Sequence, residues 1–248
     1  MEEGIIFHGK VEEAQTSTLP FPSRDNRKET QMESNRFWRQ LDICPPEKLQ
    51  FPITVIGAGA IGSATVITLA KMGCGNITVY DHDTVEEHNL PNQFALVSCL
   101  GQPKVEALKA LVGQLAEVEI RGISERYRCQ RLEGIVICAV DSMDARSVIW
   151  KNVKGNRRVQ LYLDARMGAE VLRLYTIRPT DADAAALYEA NLYTSGDAER
   201  LPCSARAIVY CPLVAGALIA LQVKRFAVDQ PLRKEVLFDL TTLNLIVT

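Results

Sequence analysis

Three glycines, two aspartates and a lysine lying between Gly57 and Asp141 have the types and spacing to handle phosphates. Gly57, Gly59 and Gly62 stand in "VIGAGAIG", directly after a β-branched run and at the head of an apolar helical pattern. That is the dinucleotide fingerprint: glycines for a tight turn, for backbone approach to a phosphate and for close helix packing. Asp81 closes the next predicted strand, "NITVYD", 19 residues beyond Gly62, where a carboxylate accepts hydrogen bonds from a ribose. Lys104 falls in the first turn of a predicted helix, where amides and an ammonium together can hold phosphate. Asp141 sits at the carboxyl end of the predicted strand "GIVICAVD", the edge at which doubly wound sheets bind ligands. Each also has a plainer use: a solvated lysine at a helix start, or an aspartate that caps a helix. The glycines and Asp81 leave NAD and ATP both open.

The elements that must position these residues follow from hydrophobic period. Strands at "ITVIGAG", "NITVYD", "VEIRGIS", "GIVICAVD" and "VQLYLDAR" alternate with helices from Ala60 to about Met72, from about Pro103 to Leu115, and after Ser142. Such alternation predicts an α/β fold, a Rossmann-like doubly wound and mostly parallel sheet. "EVLRLYTIR", "EVLFDL" and "LNLIVT" predict antiparallel strands added near the C-terminus. Residues 1–33 lack periodicity and are expected to be a mobile arm, leaving 34–248 as a single domain. Residues 180–202 are acidic with no clear core face and are expected to be a loop, followed by an apolar helix from about Arg206 to Phe226.

Bulk properties exclude several classes. A net charge of −2, from 28 basic and 30 acidic residues in a chain of 248, offers no field for nucleic acid or an anionic membrane. The apolar run from Ala207 to Leu221 is short of the roughly 20 residues that span a bilayer, so a cytoplasmic protein is expected. Seven scattered cysteines without a CxxC pair, and three histidines, argue against a disulfide framework and against structural zinc.

Taken in order, these motifs resemble the ubiquitin-activating enzymes and their single-domain bacterial relatives, the MoeB and ThiF adenylyltransferases. The resemblance is carried by Gly57 to Gly62, Asp81-His82-Asp83-Thr84-Val85, Asn89-Leu90-Pro91-Asn92-Gln93-Phe94, Gly101 to Lys104, and Asp141 with Arg146. At the ends, "RFWRQL" is similar to the family's R-Y-x-R-Q element, and "LPCSARAIVYC" to the segment after its crossover loop.

The resemblance implies ATP-dependent adenylation of the C-terminal carboxylate of a ubiquitin-like or sulfur-carrier protein. It implies ATP with magnesium held by Asp141, a phosphate contact from Lys104, and Arg146 among the nucleotide-holding residues. Asp81, Asn89 and Gln93 would join the glycines in holding the nucleotide. Arg39 would reach ATP across a homodimer, and Cys203 would take the activated tail as a thioester, with a conjugating enzyme as a further partner. Arg206 and the following helix start would lower the Cys203 pKa. Asn92 replaces an arginine that contacts phosphate in the family, with Arg36, Arg39, Arg146 or Arg166 as candidates to supply the missing charge, and the family's zinc-binding CxxC pairs are absent from the sequence. Two other readings stay open: a nicotinamide-dependent oxidoreductase, and a non-catalytic scaffold subunit of an adenylyltransferase.

Overall fold

β-Branched runs at Ile53–Ile56 (β1) and within Gly134–Cys138 (β4) are buried throughout, as strands covered on both faces must be. They form the centre of the sheet in the computed structural model, which describes residues 36–192 and 208–248. Ile77–Tyr80 (β2) and Arg121–Ile123 (β3) lie on one side of β1, and Val159–Gly168 (β5) lies beyond β4. Pairing is parallel from β3 to β5 in the order β3-β2-β1-β4-β5. Val171–Ile177 (β6), Glu235–Asp239 (β7) and Asn244–Val247 (β8) continue the sheet antiparallel, making eight strands. The expected doubly wound sheet with an antiparallel extension is therefore the fold.

Helices Ala60–Met72 (α1), Lys104–Ala116 (α2) and Tyr210–Ala227 (α5) share one core with the sheet. α1 is buried from Ile61 to Val66 because α5 packs along its outer side, and this crossing is tight. A Cβ on Gly216 would lie 3.0 Å from the Ala64 backbone. Gln222 pins α5 to the extension, its Nε2 donating to Thr176 Oγ1 at 2.8 Å and to the Arg233 carbonyl at 2.6 Å. With 18 residues of mean hydropathy 1.2, α5 has the length and apolarity to cross a membrane, contrary to the expectation from its shorter apolar core. Its packing on α1 accounts for that apolarity.

Met143–Val153 (α3) and Ala182–Glu189 (α4) belong to the second core, built on Trp150, Tyr162, Tyr175 and Tyr188. Trp150 and Tyr188 meet edge-on at 4.7 Å between ring centroids, a geometry worth about 0.5–1.5 kcal/mol beyond burial. α4 corrects the expected loop. Asp181 accepts from the Asp183 and Ala184 amides as N-cap, and Ala184, Ala185 and Tyr188 form the buried face. Residues Arg39–Thr248 make one compact unit. The expected arm lies outside the described residues.

Candidate active site

The carboxyl ends of β1, β2 and β4 bring three of the sequence motifs to one edge, where the strand order reverses between β1 and β4. After β1 the chain turns at Gly57, whose φ of +101° and approach to Ala139 admit no side chain: a Cβ would lie 2.5 Å from the Ala139 carbonyl oxygen. Gly62 is equally confined, since its Cβ would fall 1.9 Å from the Gly57 carbonyl oxygen. Gly59 differs, having nothing within 4 Å of where its Cβ would stand. No protein packing demands a glycine there, so the open side at the α1 amino terminus is free for a ligand.

Asp81 braces this loop. Its Oδ2 accepts from the Ala58 amide at 2.6 Å and its Oδ1 from the Asp83 amide at 2.8 Å, and each oxygen keeps a further lone pair for a hydroxyl donor. The polar stretch that follows is folded around a small core of Val85, Cys99 and Ala107, against which Leu90 and Ala95 pack. Within it Asn89 is buried, and its Oδ1 accepts from the Glu86 amide at 3.1 Å, closing a short 3-10 turn. The residue expected to contact nucleotide thus shapes its own loop. Gln93 is partly buried beside it, and the Phe94 amide donates to Ser63 Oγ of α1 at 3.1 Å. Asn92 Oδ1 is buried and has no hydrogen-bond partner among the described residues.

Lys104 begins α2 and is tied twice to Asp83. Its amide donates to the Asp83 carbonyl at 2.9 Å, and Nζ lies 3.2 Å from Oδ2. The lysine is thereby fixed beside Asp81 rather than solvated, since only 11% of its side chain is exposed. Asp81, His82 and Asp83 place ligand-type atoms within 4.8 Å of one another, but Lys104 already engages Asp83 and Arg126 engages His82 at 2.7 Å.

After β4, Ser142 is the N-cap of α3, its Oγ accepting from the Ala145 amide at 3.3 Å. The capping use weighed for Asp141 therefore falls to its neighbour. Asp141 is exposed and has no hydrogen bond or ion pair to another described residue. Arg146, expected among the nucleotide-holding residues, is engaged within the protein. It is 5% exposed, and its Nη1 donates to Asp164 Oδ1 at 2.7 Å, while Nη2 donates to the carbonyls of Ala165, at 3.2 Å, and Val140.

Asp164 escaped sequence reasoning, although a carboxylate inside "LYLDA" was a signal that a buried charge needs partners. It is fully buried and also accepts from Arg166 Nε at 2.8 Å and from the Tyr188 hydroxyl at 2.9 Å. Across the β4–β5 ladder it faces Cys138. Burial, reinforced by the Asp164 charge, pushes the Cys138 thiol up to about 12. Arg39 is exposed on a short 3-10 turn at Trp38–Gln40, and Cys203 lies outside the described residues.

The ThiF family pattern matches residues 47–243. The molybdopterin-synthase adenylyltransferase of Haemophilus influenzae is 28% identical over 174 residues, 64% of this chain and 71% of that protein. The adenylyltransferase and sulfurtransferase UBA4 of Yarrowia lipolytica is 44% identical over 63 residues, and the tRNA threonylcarbamoyladenosine dehydratase of Bacillus subtilis 39% over 77. Those two alignments take in 25% and 30% of this chain and only 16% and 30% of the relatives' lengths. Among solved structures, Escherichia coli MccB with AMPCPP and MccA superposes with a TM-score of 0.66 at 19% identity, covering 87% of this chain and 71% of MccB. PaaA gives 0.68 at 14% identity, over 95% and 77%. These structural likenesses speak for the fold. With the family pattern running from before β1 to the end of β7, the chain belongs to the ThiF family.

Proposed function

We propose that the protein uses ATP to adenylate the C-terminal carboxylate of a ubiquitin-like or sulfur-carrier protein. The observation that carries this reading is the shared edge at which the open side of Gly59, the braced Asp81, the tethered Lys104 and Asp141, unpartnered among the described residues, stand. A nicotinamide oxidoreductase would use the first two and leave Lys104 and Asp141 without a purpose. Relatives named adenylyltransferases support the same choice.

A carboxylate reacts poorly with a thiol because oxide is its leaving group, and adenylation replaces oxide with AMP. The tail carboxylate oxygen attacks the α-phosphorus, and the bond to the bridging oxygen breaks to release pyrophosphate. The protein's work is then positioning and charge neutralisation. Gly57 to Gly62 bring the α1 amino terminus to the phosphates, and Asp81 accepts from the ribose. Lys104 offers its ammonium to phosphate oxygens. Asp141, whose carboxylate no other described residue engages, suits magnesium, which favours one or two carboxylates beside phosphate oxygens. Bound there, magnesium would neutralise phosphate charge. Arg39 supplied by the partner subunit of a homodimer would add a further cation, offsetting the one lost at Asn92.

In a second step the Cys203 thiolate attacks the adenylate carbonyl, forming a thioester and releasing AMP. The test is ATP–pyrophosphate exchange with candidate carriers that end in a flexible glycine-type tail. Carrier-dependent exchange is expected, and its absence with every such carrier despite ATP binding would overturn adenylation. Asn92, whose buried Oδ1 has no partner among the described residues, stands where the family pattern has a phosphate-contacting arginine, and that lost charge favours one other reading, a scaffold subunit that binds ATP without turnover. Binding without exchange as a homodimer, restored by adding a second family member, would select that reading. For the cysteine, a reducible conjugate that persists in Cys203→Ala would remove it from the mechanism.

A further inference from the structure

Asp141, the acid at the centre of the proposed site, has no hydrogen bond or ion pair to another described residue, so the turn that bears it must be held in some other way. Asp141 follows Val140, whose carbonyl lies past the last β1–β4 and β4–β5 pairs at Cys138 and so beyond the sheet's own donors. A carbonyl at such a position needs a donor from elsewhere. Arg146 supplies it through Nη2, while Nη1 of the same guanidinium grips Asp164 at 2.7 Å. Asp164 is in turn gripped on its other oxygen by Arg166 at 2.8 Å and Tyr188 at 2.9 Å.

We infer that Arg146 and Asp164 are positioning residues for Asp141, with Tyr188 and Arg166 holding Asp164 for that task. This rests on the reading of Asp141 as the carboxylate that holds magnesium. Stability alone is a poor reason for such a cluster. Two guanidiniums on one fully buried carboxylate carry a desolvation cost that an apolar filling would avoid. An apolar filling would leave the Val140 carbonyl without its donor and the Asp141 turn free to drift. The planar fork puts separate nitrogens on Asp164 and on Val140 in one fixed geometry, whereas the single ammonium of a shorter, flexible lysine has no second nitrogen to hold both at that spacing. The anchor reaches α4 through Tyr188 and the residues just past it through Arg166, whose Nη1 donates to the Asn191 carbonyl at 2.8 Å. The turn that bears Asp141 is thus referenced to the second core rather than to the loop beside it.

Two measurements on the full chain test this, with Arg146→Lys and Tyr188→Phe each confirmed as folded by thermal melting. The first is calorimetry of ATP binding with and without magnesium. In wild type, magnesium should tighten ATP binding. In Arg146→Lys that gain should shrink roughly 10-fold or more, with magnesium-free ATP binding unchanged, and Tyr188→Phe should give a smaller loss in the same direction. The second is amide hydrogen exchange without any ligand. Residues 140–143 should exchange faster in Arg146→Lys while the amides of β1 and β4 keep their protection. A folded Arg146→Lys with wild-type exchange at 140–143 overturns the inference. If Arg146→Lys does not fold, the same readouts on Tyr188→Phe decide it. Absence of any magnesium effect in wild type would instead overturn the magnesium reading of Asp141, and the exchange result then judges the positioning by itself.

Discussion

Lys104 Nζ lies 3.2 Å from Asp83 Oδ2, and the Lys104 amide donates to the Asp83 carbonyl at 2.9 Å, so the lysine is held to the acid by main chain and side chain together. The half-exposed carboxylate gives the ion pair little stability, and its value is directional. It keeps a flexible four-carbon stem aimed at the edge where Asp81 stands. Lys104→Ala should lower adenylation on the order of 100-fold, the cost of removing one aimed donor. Asp83→Asn should lower it less. If Asp83 acts through Lys104, the double variant will resemble Lys104→Ala, with a coupling of about 0.5–3 kcal/mol. A double-mutant cycle on kcat/KM for pyrophosphate exchange measures this, and strict additivity would show that the two act separately.

The glycine loop separates a structural from a functional requirement within six residues. A methyl on Gly62 would meet the Gly57 carbonyl oxygen at 1.9 Å, a clash with backbone that cannot be relieved by rotating a side chain. Gly62→Ala should therefore lose thermal stability or fail to fold. Gly59→Ala meets nothing within 4 Å and should melt like wild type, while binding ATP at least ~10-fold more weakly because the methyl occupies the phosphate side. Thermal melting paired with ATP titration distinguishes the two, and a Gly59→Ala variant with undiminished ATP affinity would show that phosphate does not approach there.

How far these sites were legible depends on how locally they are written. The parallel sheet could be read because β1 and β4 are short apolar runs and α1 starts at a glycine turn, each a feature of adjacent residues. α4 does not declare itself in the sequence, because a helix of eight residues buries only Ala184, Ala185 and Tyr188, too few for a clear stripe. Asp164 and Arg146 stand 18 positions apart on different elements, and only the folded β5–α3 geometry makes them partners. Asp141 and Ser142 both suit a helix cap, and which of two neighbours takes the cap is decided by backbone direction at the strand exit.

That division of labour can be tested directly. Ser142→Ala removes the hydroxyl that receives the Ala145 amide and should cost about 1 kcal/mol of stability. Some ATP turnover should survive, since the carboxylate next to it is untouched. Asp141→Asn removes a charge that no described residue pairs with, so its melting temperature should match wild type. Its magnesium-dependent gain in ATP affinity should be lost. Urea titration and ATP calorimetry on both variants would reveal the reverse pattern if Asp141 were the cap.

The buried thiols should make the fold lose stability as pH rises. Burial pushes Cys138 and Cys74 from the ordinary 9.0 to about 12, with the Asp164 charge adding at Cys138 and Cys44 at Cys74. In the unfolded chain both thiols ionise near 9, while in the fold they stay protonated until about 12. The unfolded state therefore binds fewer protons in that window, so stability falls as pH rises through it and is intact below pH 9. Tyr162 and Tyr188, also raised chiefly by burial, deepen the fall above pH 10. Urea midpoints measured between about pH 8 and about pH 11 should decline, and Cys138→Ala should flatten the slope even though its cavity lowers every midpoint. Thiols held neutral in this way cannot compete for an acyl group at neutral pH. Because burial keeps a reagent away, alkylation should spare Cys44, Cys74, Cys99, Cys138 and Cys211 and label exposed Cys129. Labelling of Cys203 that ATP and carrier suppress together would assign the acyl-accepting thiol to it, whereas equal labelling with and without them would leave the adenylate as the end of the reaction.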